Sequence, residues 1–224
     1  MGDLVEMLSV ILNCVKLLMI QAILGYSMYR TLPVGKGLLD RYQGFAVALG
    51  LGYLVPVVIS FMLSLFHLFT LTYVSVVSMV FILYCNLDLL RNWRSEYAKL
   101  SENMRESLAD VNRFEIALFL LLSIIIIFPI YVNLSEVNFG AISSVGYMSS
   151  FKSIVGSQGF AGPASSYGTE VERSINKVGF NMFSAYASLF LSSDNVILYR
   201  VFTIHFVLWL IINALLYFRH YFNF

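Results

Sequence analysis

The sequence predicts an all-α integral membrane protein: a five-span transmembrane helical bundle with two amphipathic interfacial helices in a long outer loop. Three observations carry that prediction. Of the 224 residues 59% are hydrophobic and only 12% charged, so polar side chains are too few to cover a water-facing surface. Five apolar segments reach about 20 residues, the length that crosses a hydrocarbon core. No segment alternates with the period of a strand, which leaves helices as the structure that satisfies every backbone group in lipid. The aromatic share of 16%, mostly Tyr and Phe, suits a protein anchored at two water–lipid interfaces.

In chain order the spans are expected at Leu4–Tyr26, Gly44–Phe66, Leu68–Leu90, Phe114–Tyr131 and Val196–Tyr217. Met1 to Glu6 has no basic n-region and the first apolar stretch is long, so that stretch reads as a span and not a cleavable signal peptide. "FHLF" alone separates the second span from the third, which predicts a tight helical hairpin with His67 at its tip. Residues 1–90 thus form a three-span part and 91–113 a charged cytoplasmic connection. Residues 114–224 form a two-span part with its outer loop at 132–195.

Orientation follows from the basic residues, which collect on the cytoplasmic side. Arg30, Lys36 and Arg41 lie between spans one and two. Arg91, Arg94, Lys99, Arg105 and Arg113 lie between three and four, and Arg219 lies near the C-terminus. In a five-span count all of these share one side. The expected topology is a multi-pass cell-membrane protein with its N-terminus outside and its C-terminus in the cytoplasm.

The inner connection mixes charge at helical spacing, Glu96 with Lys99 and Asp110 with Arg113, and reads as helical extensions of spans three and four. The outer loop is longer than a connection needs. Ile142, Val145, Met148, Phe151 and Val155 recur every three or four residues, an amphipathic helix. "GSQGFAGPASSYG" interrupts it, and "TEVE" at Thr169–Glu172 is a capping box that opens a second helix. That helix puts Ile175, Val178, Met182, Tyr186 and Leu189 on one face. Both helices are expected in the interface plane or on the outer mouth of the bundle. Asp194 then caps the fifth span.

Candidate chemistry is sparse. Glu6, Ser9, Asn13 and Lys16 recur at steps of three, four and three, so one face of span one is an intramembrane polar stripe. An ionisable residue at the depth of Lys16 should face the bundle or a wet cavity. The stripe either binds a substrate or ion or hydrogen-bonds between helices with Lys16 reaching toward a carboxylate; we favour the second. His67, His205 and His220 have no ligand spacing, so no metal is expected, and no cofactor. Cys14 and Cys85 sit in apolar segments and read as core residues. The net charge of +1 implies no nucleic acid. No phosphate loop, GxSxG or DxD motif occurs. Glu136, about five residues past span four, is the one outer acid placed for general-base work at a low-dielectric surface; as a loop charge in water it does nothing.

"IQAILGYSMYRTLP" followed by "GLLDRYQGFAVALGLGYLVPVVISFMLSLF" resembles the leader of multi-spanning membrane proteins of the C-type glycosyltransferase superfamily. There a span ends in a Gly-Tyr turn and an acid–Arg pair precedes a glycine-rich second span. The later stretch "GFNMFSAYASLFLSSDNVILYRVFTIHFVLWLIINALLYFR" is similar to the superfamily's passage from its first external loop into the next span. The resemblance implies a polyprenyl-phosphate-linked sugar donor, an external acceptor and a catalytic carboxylate in the first outer loop. The chain departs from it at Ile142–Tyr147, "ISSVGY", where the superfamily keeps its acid and this sequence has none. Carried onto Glu136, the catalytic role falls upstream of the expected position.

The expected function is therefore a polytopic, non-autonomous module resembling the start of a lipid-linked-sugar glycosyltransferase and not catalytic alone. A non-catalytic accessory subunit of a membrane complex and a small transporter or channel protomer are the alternatives. The expected partners are the lipid bilayer and other membrane proteins.

Overall fold

A computed structural model of the chain describes residues 2–32, 41–92, 116–117, 120–126, 154–156, 158, 178–191 and 195–222. Every element among them is helical: α1 (Gly2–Thr31), α2 (Arg41–Leu65), α3 (Leu71–Cys85), α4 (Leu87–Arg91), α5 (Val178–Phe190) and α6 (Asn195–Phe222). Two of these helices, over Val5–Thr31 and Gly44–Leu65, are long and apolar enough to cross a membrane. Only 33% and 44% of their apolar windows are buried, so most of each faces outward.

α1 is assembled on a stripe. Val10, Cys14, Leu17, Gln21 and Leu24 are all buried and follow one another at steps of four and three, the seam of a helix that packs along neighbours. The opposite face carries Leu8, Leu12, Met19 and Ile23, each about half exposed. α2 lies along the inner stripe, and α6 packs against α1 and α2. α3 touches α1, α2 and α5.

The hairpin between α2 and α3 closes as a Schellman turn: the Leu68 amide donates to the Leu63 carbonyl at 2.9 Å and the His67 amide to Ser64 at 3.3 Å. His67 occupies the left-handed position with φ 55°. Thr70 then caps α3, its side chain accepting from the Tyr73 amide. The Phe69 amide donates to the Gln158 carbonyl at 3.1 Å, which ties the turn to the outer loop.

Two expectations need correction. The third span was expected as one helix over Leu68–Leu90, but the chain breaks at Asn86, between α3 and α4. Asn86 leaves helical geometry at φ −116°, ψ 19° because its side chain competes with the backbone, donating to the Ile82 carbonyl at 2.8 Å. α3 is 15 residues long, about 22 Å at 1.5 Å per residue, less than a hydrocarbon core of about 30 Å.

The second outer-loop helix was expected to bury one face only. α5 is instead buried on every side: all residues from 181 to 187 are buried, including Asn181 and Ser184 opposite the predicted stripe. The physical reason is composition, because Val178–Ser193 contains no charged residue and its non-stripe positions carry Phe183 and small or uncharged residues such as Ala185, Ala187, Ser184 and Asn181. The capping box at Thr169–Glu172 lies outside the described residues. So do half of the fourth span, whose described parts, 116–117 and 120–126, are helical, and all but Ile154 and Val155 of the first loop helix.

Candidate functional site

Several of the buried polar side chains tie one helix to another. The outermost joins the first and last helices: the Arg200 guanidinium of α6 donates to the Glu6 carboxylate of α1. The Arg200 side chain is 9% exposed and Glu6 35%, so the cation is in the bundle and the acid at its edge. About two turns farther along α1, the Cys14 thiol donates to the Val201 carbonyl at 3.6 Å.

About two-thirds of the way along α1 the contact changes character. Gln21, 1% exposed, donates from Nε2 to the Leu49 carbonyl of α2 at 2.8 Å. Around it the backbones meet. A Cβ on Gly25 would stand 1.8 Å from the Ala48 carbonyl oxygen, and one on Gly52 would stand 1.9 Å from the Gln21 carbonyl oxygen. Gly44, Ala48 and Gly52 repeat at four-residue steps, the small-residue row that lets two apolar helices approach backbone to backbone.

At the far end Asn86 is the hub. It accepts from Arg30 at 3.1 Å and donates to Ser27 Oγ at 2.9 Å, fixing the end of α1 against the end of α3. α5 adds a tie of its own, with Ser78 and Tyr186 hydroxyls 2.7 Å apart, and the Ser64 hydroxyl donates to the Met182 sulfur at 3.9 Å. Between α2, α5 and α6, Tyr53 packs on Phe183 with ring centroids 4.6 Å apart. His205 lies parallel to Phe183 at 5.8 Å and edge-on to Phe206. A half-open apolar cleft of about 290 Å³ remains between α1, α3 and α5, walled by Ile20, Ile23, Met79 and Ile82 and floored by Tyr186.

The predicted polar stripe does not converge. Glu6 is held by Arg200. Asn13 is 6% exposed and turns back on its own helix, donating to the Ser9 carbonyl at 2.8 Å. Lys16 was expected to face the bundle or a wet cavity; it does not face the bundle but is exposed, beside the outward Leu12 and Met19. The cause is phase: the inner seam takes Asn13, Cys14 and Leu17, which turns position 16 away. In lipid an unpaired lysine at that depth costs about 3 kcal/mol on the insertion scale. Glu136 and the missing-acid stretch Ile142–Tyr147 lie outside the described residues.

Sequence reasoning missed three features. The Glu6–Arg200 pair joins residues 194 apart, and nothing local announces it. The glycine row had a readable signal in its four-residue spacing. The burial of α5 also had one, in its lack of charge.

The arrangement defines an all-helical protein with at least two membrane-length helices, held by polar ties at both ends and a glycine seam between. The chain matches no family model, no curated protein and no solved structure.

Proposed function

We propose that the chain is a five-span membrane protein, N-terminus outside and C-terminus cytoplasmic, that serves as a non-catalytic structural module of a larger membrane assembly. The observation that carries this reading is how the polar groups are used. Glu6, the one described carboxylate near the bundle's outer end, is neutralised by Arg200. Asn86, Tyr186 and Gln21 are each hydrogen-bonded across helices. Each of these groups acts as a fastening between helices.

The membrane setting is supported by the outward apolar surfaces of α1, α2 and α3, where Met19, Val58 and Met79 are each more than half exposed. The polar ends support the span length: Glu6 and Arg30 stand about 36 Å apart along α1 at 1.5 Å per residue, which brackets a hydrocarbon core of about 30 Å. The assembly suggested by the sequence resemblance is a lipid-linked-sugar glycosyltransferase, to which this chain would contribute leader spans. A transporter would require the α1 stripe to line one path, whereas Asn13 is buried in the packed seam and Lys16 is exposed outside it.

The full chain, extracted in mild detergent and resolved on a native gel, is expected to migrate in a complex of fixed stoichiometry with other membrane proteins. Migration as a lone chain, with its cellular role intact after every co-purifying protein is deleted, would overturn the reading. In such a complex Glu136→Gln is expected to leave any sugar transfer unchanged.

A further inference from the structure

Resting on the reading of the chain as a module of an assembly, we infer that the outward face of α1 around Lys16 seats a transmembrane helix of a different protein, one carrying a carboxylate at mid-bilayer depth. Lys16 lies near the midpoint of α1, exposed, with Leu12, Met19 and Ile23 forming an apolar surround on the same side. No ion pair holds it among the described residues.

On the five-span reading no acid of the chain falls at that depth in the sequence. Its 13 acids are Asp3, Glu6, Asp40, Asp88, a run from Glu96 to Glu115, Glu136, Glu170, Glu172 and Asp194. Glu6, Asp88 and Glu115 stand within three residues of the end of an apolar segment, the others lie outside these segments, and none falls near the middle of one. The same is true of a second copy, so self-association gives Lys16 no mid-depth carboxylate either.

Lipid headgroups are a poor counter-ion. Lys16 is about 15 Å along the axis from Glu6 and about 21 Å from Arg30, farther than a four-carbon stem reaches. Ile20 and Ile23, one and two turns along the same side from Lys16, form a wall of the apolar cleft toward Met79 of α3. A partner helix laid on this side would have its apolar surface in the cleft and its acid at the lysine.

The test uses the full labelled chain in lipid vesicles with two synthetic leucine–alanine transmembrane helices, one bearing a central glutamate and its twin a glutamine. Energy transfer is expected to report about tenfold tighter association of the glutamate helix. That preference should persist in Lys16→Arg and vanish in Lys16→Leu, with helix content unchanged in both.

A preference retained by Lys16→Leu assigns the acid to another cation and overturns the inference. So does the absence of any preference in the unaltered chain, or a preference that disappears once anionic lipids are added. Self-association of the chain that is lost in Lys16→Leu would identify a second copy as the occupant and overturn it too. If the native-gel complex survives Lys16→Leu, the chain is still a module and only the seat at Lys16 fails.

Discussion

The middle of α1 and its two ends are held by opposite means. In the middle, α1 meets α2 through backbone: Gly25 against Ala48, and Gly52 against Gln21, with no room for a methyl group. At the ends, side chains do the joining: Glu6 with Arg200 at one, and Arg30 and Ser27 with Asn86 at the other. A backbone contact has no adjustable length, so the seam fixes the distance between the two helices. Side-chain ties have slack but strict chemistry, so they fix which helix ends meet. Lipid gives apolar helices no hydrophobic reason to associate, and both devices answer that lack.

The largest effect should come from breaking the seam. Gly52→Leu is expected to force α1 and α2 apart and cost about 3 kcal/mol, the upper part of the range for overpacking. Unfolding of the detergent-solubilised protein by SDS measures it. Gly50 supplies the control on the same helix, because a Cβ there meets nothing within 4 Å. Gly50→Ala should leave stability unchanged or raise it by about 0.5 kcal/mol through helix propensity. Equal losses at the two positions would mean that Gly52 matters for flexibility and not for contact.

The end tie should cost less and show a different signature. Glu6→Gln keeps the shape but removes the charge, leaving the Arg200 guanidinium buried beside a neutral amide. A loss of about 2 kcal/mol is expected, in the range for a hydrogen bond between charged groups. Since the pairing depends on chemistry and not on shape, Glu6→Arg combined with Arg200→Glu should recover part of it. No pair of substitutions should rescue Gly52→Leu in that way without shrinking Gln21 or its neighbours. A double reversal no better than its single components would remove the distinction between seam and tie.

This contrast also explains what was legible in the sequence. Helical class, the membrane-length first and second helices, and the hairpin at His67 could be read because they depend on local composition and length. The direction of Lys16 could not. Glu6, Ser9, Asn13 and Lys16 make a tidy row at three-and-four spacing, yet a row that wide straddles the boundary of the packed seam. Only the neighbours decide that Asn13 turns in and Lys16 out. Asn86 was hidden for a similar reason: an asparagine inside an apolar run looks like a tolerated guest until its partners Arg30 and Ser27, 56 and 59 residues away, are placed beside it. α5 was misjudged by its stripe, when its uncharged opposite face was the better guide.

The smallest predicted effect sharpens the comparison at the hairpin, where geometry again rests on backbone alone. His67 holds the left-handed position of the Schellman turn at φ 55°, a place usually given to glycine. For a residue with a Cβ that conformation costs about 1–2 kcal/mol, while glycine loses roughly 0.5–1 kcal/mol more backbone freedom on folding. The difference favours glycine, so His67→Gly should stabilise by about 0.5 kcal/mol, and His67→Val should destabilise because a branched Cβ tolerates that region worst. The histidine side chain is exposed, so neither change should act through packing. If His67→Gly instead destabilises while α2 and α3 stay paired, the imidazole itself makes a contact, and the turn belongs with the side-chain ties.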